Sequence, residues 1–222
     1  MNQLTTEFLC RMFAEAAQLI IQREPYLTEI DSVIGDGDHG EGMKRGCEAL
    51  LNLLESRQWE FADDLCYAVG VELIKSMGGA SGVIFGTMFL GGVSGLPHNS
   101  TITPPEMVRY FYEGERAIEQ RGRSKPGNKT MLDALYPACV AMKKAQMESD
   151  NVTFILKSGW EGALDGIEEC KRLQSKTGRS KNFREKTLGL PDPGAVSVGF
   201  WFLGFYNAAE KYENQANAYA EG

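Results

Sequence analysis

The sequence predicts an all-α fold in which eight helices form a single domain. Apolar residues recur every three or four positions in eight separate stretches of the chain, as in helices that bury one face. No stretch alternates apolar and polar residues for long enough to indicate a strand, and no Asn-Gly hairpin signal occurs. Because no Pro- or Gly-rich linker divides the 222 residues, we assign residues 1–222 to one domain.

The first four helices are defined by their apolar faces. One face runs over residues 8–20 and a second over 43–54. A third helix is predicted over 61–77, and the fourth begins near Ser81. Gly-rich stretches fall between helices, where they are typical of loops that carry binding or catalytic residues.

The fifth helix has the clearest start signal. Residues 103–106 read Thr-Pro-Pro-Glu, which combines a capping box with proline at the first helical position. The sixth helix follows Thr130, and the seventh carries apolar residues at regular 4-3-4-3 spacing over 156–170. The eighth follows Asp192 and is nearly all apolar over 195–205.

The composition excludes several classes of partner. A net charge of -7 and a pI near 5.0 argue against a nucleic-acid or anionic membrane surface, although a metal ion can still bridge an acidic protein to a phosphate. No apolar run approaches the roughly 18 residues of a membrane span. The charged residues Glu7, Arg11 and Glu15 argue against a signal peptide. We therefore expect a cytoplasmic protein that binds neither nucleic acid nor membrane, with its five cysteines reduced.

An acidic stretch between the first and second helices indicates a metal site. Asp31, Asp36 and Asp38 fall within eight residues and are interleaved with glycines. Carboxylates this close repel one another unless a cation neutralises them. Oxygen ligands suit Mg²⁺ or Ca²⁺ better than Zn²⁺. A solvated acidic loop that caps a helix is the alternative.

Two known kinds of metal site do not fit this stretch. A calcium-binding EF-hand counted from Asp36 needs glycine at its sixth position and glutamate at its twelfth, where this chain has Glu41 and Cys47. A zinc site is disfavoured because His39 and His98 are far apart and no cysteine lies near His39. We interpret His98 as a surface loop residue.

Three further loops carry groups that suit a phosphate. Residues 78–82 read Gly-Gly-Ala-Ser-Gly before the fourth helix, so backbone N–H groups could approach an anion there. Residues 121–130 nearly match a phosphate-binding loop, but Asn128 interrupts the pattern and a helix precedes it instead of a strand. Residues 177–194 form a basic connection that ends with Asp192. Taken singly, helix packing, a solvated basic loop and an N-cap at Asp192 are the alternatives.

The order of the four loops is more informative than any one of them. They follow helices one, three, five and seven, and alternate loops of an up-and-down bundle lie at the same end. Carboxylates would then face basic groups and N–H donors across one rim. That layout is expected for a metal-bridged phosphate chain.

Four motifs in this order resemble the ADP-binding L subunit of bacterial dihydroxyacetone kinases. They are Gly-Asp-Gly-Asp-His-Gly at 35–40, Gly-Gly-Ala-Ser-Gly at 78–82, Gly-Asn-Lys-Thr-Met at 127–131 and Asp-Pro-Gly-Ala at 192–195. The resemblance spans essentially the whole chain. It implies an antiparallel barrel of eight amphipathic helices with a nucleotide site at one rim. Asn128 stands where family members often carry aspartate and Gly37 where they often carry alanine, but neither change removes a metal ligand.

The resemblance also implies roles for individual residues. Asp31, Asp36 and Asp38 would bind two Mg²⁺ ions that bridge the phosphates of ADP or ATP. Ser81 and Arg179 would be catalytic, Ser81 by holding a phosphate and Arg179 by stabilising charge on the moving phosphoryl group. The residues expected to contact the nucleotide are His39, Gly40, Glu41, Gly42, Ala80, Ser81, Gly122, Met131, Arg179, Asp192, Pro193 and Gly194.

The sugar is expected on another protein. In this family a separate K subunit holds dihydroxyacetone, so we expect this chain to act with such a partner, and we also expect a homodimer. The length favours retention of ADP as a cofactor that a phosphotransferase-system protein rephosphorylates, and exchange with free ATP is the alternative. Related subunits serve kinases of erythrulose and similar ketoses. A nucleotide-loaded regulatory binding protein is a further alternative.

Overall fold

A computed structural model describes residues 1–220, and these residues are mostly helical. Nine α-helices in this range are joined to two short strands and to two 3-10 segments, Val93–Gly95 and Ser180–Thr187. The all-α prediction is therefore confirmed. No helix within residues 1–220 is both long and apolar enough to cross a bilayer. The elements are β1 (Leu4–Thr5), α1 (Thr6–Gln22), α2 (Glu24–Ile34), α3 (His39–Glu55), α4 (Ala62–Met77), α5 (Gly79–Gly91), β2 (Thr101–Ile102), α6 (Pro104–Gly122), α7 (Leu132–Glu148), α8 (Val152–Lys171) and α9 (Pro193–Ala220).

Eight of these helices form a closed antiparallel ring. Helix α1 packs against α3, each helix from α3 to α8 packs against the next, and α9 returns to α1. Two contacts show the direction at the closure, because Phe8 meets Tyr212 whereas Ala16 lies against Gly204. Glycine at 204 lets the two backbones approach closely. The barrel of eight helices that the family resemblance implies is confirmed.

Helix α2 corrects the predicted loop over residues 31–40. The helix ends at Ile34, so Asp31 lies in its last turn. Only Arg23 separates α2 from α1, and α2 packs outside the ring against α3 and α9. Its buried residues are few, at Leu27, Asp31 and Ile34, so its apolar face is too short to appear as a separate period. Pro25 in the first turn was the available signal.

The two strands lie at the opposite rim from the predicted nucleotide site. Leu4 pairs with Ile102 in antiparallel register, and the backbone N–H of Ala62 donates to the Asn99 carbonyl at 2.8 Å. The connection between α5 and α6 therefore crosses this end of the barrel. The sequence predicted no strand, because a two-residue bridge is too short to show alternation.

Aromatic side chains fill the barrel. Trp201 on α9 lies 5.1 Å from Phe89 on α5, and Phe205 lies 5.6 Å from Phe111 on α6, measured between ring centroids. All four rings are buried. Because such close packing resists deformation, the helix ends at the two rims are held in fixed positions.

Candidate functional site

A cavity of about 330 Å³ lies at the rim where α3, α5, α7 and α9 begin. All four loops that the sequence singled out contribute to its lining. The topology of the barrel thus places the acidic, glycine-rich and basic segments together. The predicted site residues that line the cavity are Asp31, Asp36, Asp38, His39, Glu41, Gly42, Ala80, Ser81, Met131, Arg179, Asp192, Pro193 and Gly194.

Two predicted nucleotide contacts lie outside this lining. Gly40 is buried where α3 meets α2, and a side chain there would collide with Thr28. Gly122 is exposed at the end of α6, beside Ile84, which lines the cavity. In the structure Gly40 therefore serves close packing of two helices. Contact of either glycine with a nucleotide stays a prediction.

The three aspartates converge on one point. One carboxylate oxygen from each of Asp31, Asp36 and Asp38 lies within 4.8 Å of the other two. Asp31 is buried, and the backbone N–H of His39 donates to its Oδ2 at 3.2 Å. The chain turns between the aspartates at Gly37, whose φ of 76° favours glycine. This donor set fits a hard divalent cation, which would offset the repulsion among the carboxylates.

Arg179 reaches the acidic group from the connection between α8 and α9. Its Nη1 contacts Asp36 and lies 3.4 Å from Oδ2 of Asp38. The guanidinium is a permanent cation, so it offsets part of the repulsion among the carboxylates. Its side chain is 63% exposed, so it can turn toward another anion in the cavity. Residues 181–186 of the same basic connection lie outside the cavity lining.

His39 is held between two serines. Its Nε2 lies 2.8 Å from Oγ of Ser197, and its Nδ1 lies 3.3 Å from Oγ of Ser81. Ser197 donates its own hydrogen to the Pro193 carbonyl at 3.0 Å, so it accepts from Nε2–H. Burial lowers the pKa of His39 to about 4, although Asp31 opposes this shift. The neutral ring therefore accepts the hydroxyl hydrogen of Ser81 at Nδ1 and orients that hydroxyl.

The N-terminus of α5 presents backbone amides to the cavity. Gly78 and Gly79 have φ values of 74° and 61°, which glycine adopts without steric cost. Arg45 donates to the carbonyls of Ser76 and Met77 at the end of α4. The starts of α3 and α9 line the same cavity. Helix N-termini carry partial positive charge and unpaired N–H groups, so this side of the cavity favours an anion.

Asp192 closes the cavity at the start of α9. Its Oδ2 accepts from the backbone N–H of Ala195 at 2.9 Å, which is the N-cap interaction that the sequence left open. Burial raises the pKa of Asp192 to about 7, although the bond from Ala195 opposes this shift. Gly194 lies next to Met131, and the pair forms an apolar wall beside the polar groups.

Three buried polar residues of this region were not recognised from the sequence. They are Lys129, Asp133 and Ser197. Asp133 accepts from the backbone N–H groups of Gly127 and Thr130, at 2.5 and 2.7 Å, and so shapes the turn before α7. A lysine in a basic loop gives no local sign that it turns inward. For Ser197 the available signal was a polar residue inside an apolar helix.

A second histidine-containing group lies at the opposite rim, where His98 is an exposed loop residue, as predicted. Nδ1 of His98 lies 3.0 Å from Oδ2 of Asp63, and Asp64 is close to both. The ring of His98 also stacks on Phe61, with centroids 3.8 Å apart. The contact with Asp63 and the stack on Phe61 account for the position of His98.

A family model and several known proteins match this chain. A family model described as the DAK2 domain matches residues 33–207. A protein of Escherichia coli described as "PEP-dependent dihydroxyacetone kinase, ADP-binding subunit DhaL" is 31% identical over 175 residues, which cover 79% of this chain and 83% of that protein. A D-erythrulose kinase of Mycolicibacterium smegmatis is 33% identical over 201 residues, which cover 86% of this chain and 33% of that protein.

The barrel also occurs in a solved structure. The crystal structure of the dihydroxyacetone kinase from C. freundii in complex with AMP-PNP and Mg²⁺ matches with a TM-score of 0.68 and 23% sequence identity. The match covers 90% of this chain and 33% of that chain. The likeness shows that this helical barrel is a known fold, and that there it forms one part of a longer chain.

Proposed function

The chain belongs to the DAK2 domain family, and on that premise we propose that it is the nucleotide-binding subunit of a dihydroxyacetone-type kinase. It would transfer the γ-phosphoryl group of a Mg²⁺-bound adenine nucleotide to a short ketose held on a separate K subunit. One observation carries the proposal: three carboxylates and several helix N-termini face each other across one cavity. The carboxylates attract cations and the helix N-termini attract anions, and a metal–phosphate complex needs both.

Asp31, Asp36 and Asp38 are the residues that would hold the metal, and we propose that they bind two Mg²⁺ ions. When bound, Mg²⁺ would neutralise charge on the β- and γ-phosphates. The proximity of the three carboxylate oxygens supports this assignment. The hydrogen bond from His39 to Asp31 supports it further, because it fixes the buried carboxylate in one orientation.

The nucleotide would lie along the cavity with its phosphates at the start of α5. Ala80 and Ser81 lie in the first turn of that helix, and His39 orients the Ser81 hydroxyl. Met131 and Gly194 would form the apolar side of the site. The cavity volume of about 330 Å³ lies at the lower end of the usual range for ligand sites. We propose that residues 1–222 act as one nucleotide-binding domain.

Arg179 is the residue we propose for stabilising the transferred phosphoryl group. Its contacts with Asp36 and Asp38 place the guanidinium at the mouth of the metal site. Cations bound to these carboxylates would replace Arg179 as their counter-charge, and the guanidinium could then turn to the phosphate. A donor placed where charge develops lowers the barrier to transfer.

We further propose a K subunit as partner and a phosphotransferase-system protein as the donor that rephosphorylates bound ADP. The relative from Escherichia coli, whose name describes an ADP-binding subunit of a PEP-dependent kinase, supports this choice. A second candidate is ATP-dependent phosphorylation of erythrulose, which the identity of 33% to a D-erythrulose kinase favours. The ketose site would lie outside this chain in both cases. A K subunit would carry it in the first, and in the second it would lie in the part of the longer enzyme outside the match, which covers 33% of that protein.

Calorimetric titration tests the proposal directly. The purified chain, freed of metal and nucleotide, is titrated with ADP in the presence of Mg²⁺ and again with EDTA. We expect binding that requires Mg²⁺, and phosphoryl transfer to ketose only after a K subunit is added. Retention of ADP through long dialysis indicates the cofactor route, and ready exchange indicates use of ATP. Equal ADP affinity with Mg²⁺ and with EDTA would contradict the proposed metal bridge.

A further inference from the structure

Lys129 is a buried lysine in the wall of the nucleotide cavity. Lys129 is 1% exposed. Its Nζ donates to the carbonyls of Cys170 and Leu190 at 2.8 and 2.6 Å. The backbone of Lys129 has a φ of 58°, a left-handed conformation that costs energy for a residue with a side chain. A buried ammonium group loses its hydration, so it is stable there only with such partners.

Two carboxylates favour the charged form of Lys129. Burial lowers the pKa of this lysine, while Asp192 and Asp133 oppose the shift. Each carboxylate also shapes the wall of the cavity, since Asp133 holds the turn before α7 and Asp192 caps α9. The lysine therefore lies close to two carboxylates that shape the cavity wall.

The two carbonyls that Lys129 binds flank one segment of the chain. Cys170 directly precedes residues 171–189 and Leu190 directly follows them. We refer to residues 171–189 as the strap, and the strap carries Arg179. A single Nζ thus joins both ends of the strap at one point.

Backbone hydrogen bonds reinforce the same junction. The N–H of Gly189 donates to the carbonyl of Lys171 at 2.8 Å, which pairs the first and last residues of the strap. The N–H of Lys176 donates to the carbonyl of Asn128 at 3.1 Å, next to the lysine itself. The base of the strap is therefore ordered around Lys129, whereas Arg179 extends beyond it to the aspartates.

We propose that Lys129 is a positioning residue that clasps the two ends of the strap, and so holds Arg179 and Asp192 at the nucleotide cavity. The role rests on the proposed function, because it matters only if the cavity binds nucleotide. Ordering a loop costs conformational entropy. If Lys129 orders the strap when the protein folds, this entropy cost is not paid when nucleotide binds. Loss of the clasp should therefore both loosen the strap and weaken nucleotide binding.

Three variants test the clasp. Lys129→Met keeps the length of the side chain but removes its charge and its hydrogen-bond donors. Lys129→Arg keeps the charge and donors. Lys125→Met is the matched control, because Lys125 lies in the same turn and is exposed. The affinity for Mg²⁺–ADP is measured by calorimetry, and the order of the strap by amide hydrogen exchange.

We expect Lys129→Met to bind Mg²⁺–ADP about tenfold more weakly, because two charge-assisted hydrogen bonds are lost. Amides of residues 187–190 should exchange faster in this variant without nucleotide, while amides of α4 on the far side of the ring keep their protection. Lys129→Arg should lie nearer to wild type in both measurements, and Lys125→Met should match wild type. A purely structural lysine would change stability throughout the protein instead.

Each outcome separates the clasp from the proposed function. Wild-type affinity in Lys129→Met, or unchanged exchange at 187–190, overturns the clasp and leaves the proposed function standing. Failure of the wild-type chain to bind Mg²⁺–ADP overturns both. If Lys129→Met does not fold, exchange in the wild-type chain decides the question. Protection of the Gly189 amide supports the clasp, and exchange as fast as in the exposed part of the strap overturns it.

Discussion

Nη1 of Arg179 lies 3.4 Å from Oδ2 of Asp38, although 141 residues of sequence separate the two. The contact joins the strap to the acidic group at the start of α3. A cation bound to these carboxylates would compete with the guanidinium for the same oxygens. We therefore expect metal binding to change the position of the arginine that we propose for catalysis.

Asp38→Asn should abolish most of the nucleotide binding. The substitution keeps the size of the side chain but removes one charge from the proposed Mg²⁺ site. We expect the affinity for Mg²⁺–ADP, measured by calorimetry, to fall by about 100-fold, with the helical circular dichroism unchanged. Glu29→Gln, an exposed carboxylate on α2, is the matched control and should bind as wild type does. Unaltered affinity in Asp38→Asn would count against the metal assignment.

Arg179→Gln should raise the affinity for metal but lower the rate of phosphoryl transfer. Without the guanidinium the carboxylates are less neutralised, so affinity for Mn²⁺ in the absence of nucleotide should rise by roughly threefold. In the reconstituted kinase kcat should fall by about 1,000-fold, because the transferred phosphoryl group loses its cation. Arg184→Gln changes an exposed arginine of the same strap and should alter neither value. A fall in Mn²⁺ affinity would show that Arg179 is not the competing cation.

Ser197→Ala should destabilise the fold through His39. The Nε2 of His39 would lose its buried acceptor, and we expect the free energy of unfolding in urea to drop by about 1–3 kcal/mol. Ser158→Ala removes the same kind of bond to the carbonyl four residues earlier, but from a less buried helix position, and should change stability little. Equal losses in the two variants would mean that the contact with His39 contributes nothing.

Glu115→Gln should make stability less dependent on pH. Glu115 is 3% exposed inside the barrel, and its Oε1 has no hydrogen-bond partner among the described residues. Burial raises the pKa of Glu115 from 4.5 to about 7, with Glu119 adding to the shift.

The sign of the effect follows from this raised pKa. Below pH 4.5 the carboxyl is protonated in both the folded and the unfolded state, so its titration does not change the free energy of unfolding. Between pH 4.5 and 7 the folded state binds more protons than the unfolded state, so the free energy of unfolding falls as pH rises. Relative to wild type, Glu115→Gln should gain about 3 kcal/mol above pH 7 and nothing near pH 4. Urea denaturation across this range checks it, with exposed Glu60→Gln as the control. A stability difference that does not change with pH would contradict the raised pKa.

Apolar spacing was sufficient to predict the helices of the ring. The seventh predicted helix, over 156–170, lies within α8, and the capping box at Thr103 and Glu106 is present at the start of α6. These features are visible because a helix repeats every 3.6 residues, so the sequence itself records which face is buried. Helix α2 escaped prediction because it buries only a short face at the rim.

The sequence by itself determined the all-α class, the four loops with their chemistry, and the family that they resemble. Only the tertiary structure decided which side chains meet, as in the contact of His39 with Ser197 across 158 residues and of Lys129 with Leu190 across 61. Periodicity and capping are local, and they report the conformation of the backbone near each residue. The direction of a buried polar side chain depends instead on how the ring closes from α9 onto α1, which no local pattern encodes.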